Sequence, residues 1–162
     1  MNKSLSINIP FNHKMIFRVV RVQLVDGLNS TVDPDNDKHI IMWDFDDSKL
    51  KELIDMLQCV QVVYELSDIY IYHDGKDKSY RAICFDIVPF NKLMVILLTT
   101  EGVDKDFIKW TMSKGYATQR ISCKRGRYCP ELLTILHNQF VDTPPVPYYM
   151  NFVKYETVDA DR

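Results

Sequence analysis

The stretch HIIMWDFDDSKLKEL, residues 39–53, limits the fold more than any other part of the chain. An apolar run ends in Asp44, Asp46 and Asp47, and a stripe of Leu50, Leu53, Ile54 and Leu57 follows at once. A short apolar run bounded by polar residues reads as a core strand, and a stripe of period 3.6 reads as a helix lying against it. The pattern predicts a strand over 39–46 and a helix over 48–59, with Asp47 or Ser48 as its N-cap. It also raises a chemical question, because paired carboxylates stand at the rim of a core strand.

The rest of the chain extends the same alternation. Strands are expected over 61–66 and 68–73, and the turn residues of HDGKDK (73–78) fold the chain into a hairpin with a return strand over 79–86. Pro89 opens a helix over 89–100, apolar nearly all round and so buried, and Gly102 ends it. A short helix over 104–113 stops at Gly115, and 116–123 is the last core strand. Upstream, residues 16–25 read as a strand, and the Asp-, Asn-, Gly- and Pro-rich stretch 26–38 as an exposed loop. Downstream, Pro130 begins a helix to about residue 140, DTPPVP breaks the chain, and 141–162 is an irregular tail.

The order strand, helix, paired strands, helix, strand is the split βαβ pattern. The expected class is α+β, with a ferredoxin-like or RNA-recognition-motif-like βαββαβ core, an extra N-terminal strand and a C-terminal helix. Residues 39–123 would form one antiparallel sheet with two helices on one face. At 162 residues the chain suits a single domain, with its core over about 16–140.

Composition removes several classes of function. With 46% hydrophobic and 26% charged residues the chain is globular rather than disordered. A formal net charge of −2 rules out a polycation, so nucleic-acid binding would need a local patch. The cysteines at 59, 84, 123 and 129 have no CxxC spacing and are expected as reduced thiols of a cytosolic protein, with Cys59 and Cys84 in the core. The N-terminus MNKSLSINIPFNHK is not expected to be a signal peptide, and LMVILL (93–98) is too short to span a bilayer, so no membrane association is expected. There is no GKS/T phosphate loop and no HxH pair; His13, His39 and His137 are isolated.

Side chains alternate along a strand, so Ile41, Trp43 and Phe45 share one face and Met42, Asp44 and Asp46 the other. Two carboxylates two residues apart on one face can converge on a divalent cation, and hard oxygen ligands suit Mg²⁺ or Mn²⁺. A solvated strand end with Asp47 capping a helix accounts for the same residues. Asp104, before the short helix, is either a third ligand or only its N-cap. From Phe107 to Pro130 there is no Asp or Glu, while Lys109, Lys114, Arg120, Lys124, Arg125 and Arg127 alternate with Trp110, Tyr116 and Tyr128. Basic groups neutralise phosphates and aromatic rings stack on unpaired bases; an ordinary basic surface has the same composition.

These motifs together resemble the archaeo-eukaryotic primase (primase-polymerase) superfamily. IIMWDFD is similar to its first motif, an apolar strand ending in DxD; SYRA sits where the family has a small-x-histidine motif; GVD is similar to its third motif. The resemblance covers about residues 39–104 and implies metal ligation by Asp44, Asp46 and Asp104. It further implies phosphate contacts at Lys78, Ser79 and Arg81, and metal-dependent nucleotidyl transfer on single-stranded DNA, with Lys114, Arg120, Lys124, Arg125 and Arg127 along the template. Arg81 stands where the family has histidine; it can hold a triphosphate but does not reproduce a neutral imidazole, which His73 could supply from the hairpin end. The implied setting is a small viral or plasmid replication protein in the (host) cytoplasm, alongside a helicase or other replication proteins. The alternatives are a non-catalytic single-stranded nucleic-acid-binding module, or an interaction subunit of a replication complex.

Overall fold

The computed structural model describes residues 3–9, 13–19, 22–33, 37–75, 77–123, 129–145, 147 and 150–158. The chain is α+β. Strands β1 (Lys3–Ile9) and β2 (His13–Val19) pair with each other as a two-stranded antiparallel ribbon. Ten strands and three helices are described in all.

The larger sheet is built around β5 (Lys38–Phe45), followed by α1 (Leu50–Tyr64), β6 (Ile69–His73), β7 (Tyr80–Val88) and α2 (Phe90–Thr99). Its strand order is β4-β5-β7-β6-β9, all antiparallel, where β4 is Thr31–Asp33 and β9 is Glu131–Leu136. The alternation expected for β5 holds. Ile41, Trp43 and Phe45 pack with Leu53, Leu57, Leu93 and Leu97 of α1 and α2, so both helices cover one face. Ile40 and Met42 pack on the other face with Leu28, Val32, Ile83 and Ala117. Trp43 is fully buried, and its indole N–H donates to the Thr100 hydroxyl at 3.2 Å.

The second sheet has the order β10-β3-β8, from β3 (Val22–Asn29), β8 (Thr118–Arg120) and β10 (Asn151–Val158). It corrects the expectation of one sheet over 39–123, because β8 hydrogen-bonds to β3 and not to β5. The reason lies upstream: β4 takes the edge of β5. Side chains join β8 to the larger sheet, among them Gln119, whose amide donates to the Trp43 carbonyl at 2.7 Å. Residues 26–33 are correspondingly not an exposed loop. Ser30, fully buried, is the crossing point between β3 and β4: its N–H donates to the Ala117 carbonyl, its carbonyl accepts from Ile40 N–H, and its hydroxyl accepts from Ala117 N–H.

Further expectations are corrected by tertiary partners. The strand expected over 16–25 is two strands, β2 and β3. No strand forms over 61–66, because α1 continues to Tyr64. The β-branched VQVV stays helical because Gln61 is buried and its amide donates to the carbonyls of Ser67 and Leu136. Packing here overrides propensity. Helix α1 starts after Lys49 without a side-chain cap, so neither Asp47 nor Ser48 caps it. Helix α2 buries Leu93, Met94, Ile96 and Leu97 but leaves Val95 and Leu98 exposed, so it is one-sided.

The helix expected over 130–140 is β9, drawn into strand by the open edge of β6. The tail expected to be irregular contains β10, paired with β3 along its whole length. The expectation of reduced thiols also fails, since Cys123 and Cys129 form a disulfide; Cys84 is buried but Cys59 is exposed. Among the described residues no helix is long and apolar enough to cross a membrane.

Gly27 lies under the Tyr155 ring of β10. A Cβ there would lie 2.5 Å from a ring carbon of Tyr155 and 3.1 Å from the Gln119 carbonyl oxygen. Gly27→Ala is expected to destabilise the fold by about 1–3 kcal/mol, the usual cost of forcing atoms into a packed site. Urea unfolding measures it; an unchanged midpoint would mean that Tyr155 is not held against β3.

Candidate functional site

Asp44 is the last polar residue on the far face of β5, directly opposite Arg81 of β7. Its carboxylate accepts from Arg81 Nε at 3.4 Å. Asp104 arrives from the turn after α2: its backbone N–H donates to the Asp44 carbonyl at 2.8 Å. The first and third expected acids are therefore neighbours. Asp104 also caps α3 (Lys105–Lys114), its Oδ1 accepting from Asp106 N–H at 2.9 Å. Both acids line an open cleft of about 380 Å³ with Asp106, Glu156, Lys114, Trp110 and Tyr155.

Behind Asp44 lies a buried ion network. Asp74, 3% exposed, accepts from both Arg81 Nη2 at 2.8 Å and Arg120 Nη2 at 2.5 Å. Arg81 Nη1 donates to the Arg120 carbonyl at 2.5 Å, and Arg120 Nη1 donates to the Ser122 carbonyl. Both guanidinium groups are thus engaged inside the protein.

These surroundings control the Asp44 proton. Burial pushes its carboxyl up to about 6; Arg81 opposes the shift, while Asp74, Asp46 and Asp104 add to it. An acid whose folded-state pKa lies above its unfolded one holds its proton more tightly when folded. Its contribution to stability is full below the unfolded pKa of about 3.9 and is lost as pH rises through about 6. Asp44→Asn removes this dependence, so the variant should gain on the unaltered protein between about pH 4 and pH 6. Melting curves across that range test it; parallel curves would mean that Asp44 is ionised throughout.

The other expected site residues are dispersed. Asp46 lies just past the end of β5, which stops at Phe45, and the chain then turns through Asp47, with φ 55°. Asp46 is exposed, and its charge adds to the upward shift of the Asp44 pKa. Lys78 is exposed at the hairpin, where its carbonyl accepts from Ser48 N–H. Ser79 is buried, its carbonyl accepting from Asp74 N–H. His73 does not supply an imidazole to Asp44: it pairs with Tyr80, which pairs with Phe45, so it lies on the helix-covered face. Arg81 and Arg120 are buried rather than presented to phosphates. Of the template set, Lys114 is exposed at the cleft, and Lys124, Arg125 and Arg127 lie outside the described residues.

Nothing in the local pattern singles out Asp74, which reads as an ordinary Asp-Gly turn residue, and Tyr155 and Glu156 fall in the expected tail. A second constellation is structural. Ser30 Oγ lies 2.9 Å from His39 Nδ1, and His39 Nε2 lies 3.3 Å from Asp37. Ser30 is fully buried, so no substrate reaches its hydroxyl, and burial lowers the His39 pKa.

Among the described residues no three His, Cys, Asp or Glu side chains form a ready-made metal group. No protein-family model, curated protein or solved structure matches the chain.

Proposed function

We propose that the chain is a small primase-polymerase-like replication protein, carrying out metal-dependent nucleotidyl transfer on single-stranded DNA. The observation that supports this reading is the meeting of Asp44 and Asp104 at one cleft, the two positions that match the first and third motifs. The core supports it too: β5, β7 and β6 lie in the first-third-second order of a ferredoxin-like sheet, with α1 and α2 on one face.

The donor set fits a hard divalent cation of one kind. Mg²⁺ is commonly held by one or two carboxylates together with substrate phosphates and water, rather than by a full protein cage. Asp44 and one oxygen of Asp104, the other being the helix cap, would provide the protein's share. When bound, such a cation activates the attacking oxygen and offsets charge on the leaving group. Arg81 orients Asp44 from behind, and Asp74 fixes Arg81 in turn. Arg81 then acts as a positioning residue, and the missing motif histidine has no replacement among the described residues beside Asp44.

A second reading, a non-catalytic nucleic-acid-binding module, is favoured by the internal engagement of Arg81, which occupies the guanidinium expected to meet the nucleotide phosphates. Asp104→Asn separates the two readings. Asparagine caps helices about as well as aspartate, so the fold should persist while a metal ligand is lost. The catalytic reading expects dNTP incorporation on a single-stranded template with Mg²⁺ or Mn²⁺, and its loss in Asp104→Asn. Template binding with no incorporation by the unaltered protein would establish the module instead.

A further inference from the structure

We propose that Trp110 is the platform on which the base of a metal-bound nucleotide stacks, with Lys114 as the cationic end of the same site. The proposal rests on the nucleotide-handling reading of the cleft and adds how the ligand is held. Tryptophan is usually largely buried, yet Trp110 is 60% exposed while Trp43 is 0% exposed. Helix α3 fully buries only Thr111, and Phe107 and Ile108 supply its contact with the core. Its outward stripe carries Asp106, Trp110 and Lys114 at successive four-residue steps, about 6 Å apart along the axis. Acid, ring and cation therefore follow one another along the cleft wall, and Asp104 and Asp44 lie at the acidic end.

Charge limits what can enter. Four carboxylates and one lysine line the cleft, so a bare triphosphate is repelled. A nucleotide arriving with a divalent cation places the cation at the carboxylates and leaves its base an exposed ring of matching size. A polyamine or arginine-rich peptide would also suit carboxylates beside a tryptophan. Lys114 opposes a polycation at the far end of the stripe, which favours the nucleotide.

The test is a titration of the full chain with dATP, with and without Mg²⁺, and with spermine, by calorimetry and by fluorescence. Mg²⁺ with dATP should bind and quench Trp110, and dATP in chelator should not. Trp110→Ala should weaken binding by about 5- to 160-fold, the range for losing one base-stacking partner. Trp110→Phe should stay within about threefold of the unaltered protein, since a ring remains. Emission from buried Trp43 reports that both variants are folded. Equal affinity of Trp110→Ala and the unaltered protein, or binding of spermine but not of Mg²⁺ with dATP, overturns the proposal. The two readings fail separately: unchanged incorporation kinetics in Trp110→Ala removes the platform alone, and Trp110-dependent binding without incorporation removes synthesis alone.

Discussion

Asp44→Asn is expected to lower nucleotide incorporation by about a thousandfold or more while leaving the protein at least as stable at pH 7. A carboxylate holding a catalytic cation contributes several kcal/mol of charge stabilisation to a phosphoryl-transfer step, and each 1.4 kcal/mol is about tenfold in rate. Stability moves the other way because the site is unfavourable to the ionised acid: burial raises its pKa to about 6, with Asp74, Asp46 and Asp104 adding to the shift. Asparagine keeps the shape and an acceptor for Arg81 Nε without the charge. Mg²⁺ should raise the melting temperature of the unaltered protein and not that of Asp44→Asn, since only the former gains a bound cation. Incorporation assays and thermal melts at pH 7 measure both. A variant that loses stability and shows no difference in its response to metal would make Asp44 a structural acceptor and remove the catalytic reading.

Asp74→Ala is expected to cost about 3–5 kcal/mol, the range for removing one partner of a buried ion network. Arg81 and Arg120 would be left facing each other without the carboxylate between them, in a site where Asp74 is 3% exposed. That is a large fraction of the roughly 5–15 kcal/mol holding a domain together. Asp74→Asn should be milder, since it retains the accepting oxygen. Chemical denaturation measures the difference; a cost below about 1 kcal/mol would mean that water replaces the carboxylate easily.

Much of the fold was legible wherever local pattern and tertiary partner agree. β5 and β7, the Asp-Gly hairpin, and α3 between Asp104 and Gly115 follow from periodicity and turn or cap chemistry. The readings failed where a distant partner decided the matter. ELLTIL has helix-forming leucines after a proline, and only the open edge of β6 makes it a strand. NFVKYET alternates half-buried and exposed residues with period two once paired with β3, but in the sequence adjacent Phe152 and Val153 blur that alternation just after the DTPPVP break. In the site, Asp44 and Asp104 were legible as acids beside apolar residues. The burial of Arg81 and Arg120 was not, because it depends on Asp74, a turn residue whose two arginine partners come from two different sheets.

The pairing of β10 with β3 has a consequence for biogenesis. Asn151 lies opposite Asn29, so the second sheet is closed by a contact spanning most of the chain. Such non-local pairing forms late, after the loop entropy has been overcome. During synthesis from the N-terminus, β3 waits for β8 and then for β10. Tyr155 and Glu156, which wall the cleft, are carried by that last strand. A nascent chain can thus assemble the carboxylate pair Asp44 and Asp104 while the recess around them is still open on one side. The cleft wall is complete only once translation has delivered the strand that carries Tyr155 and Glu156.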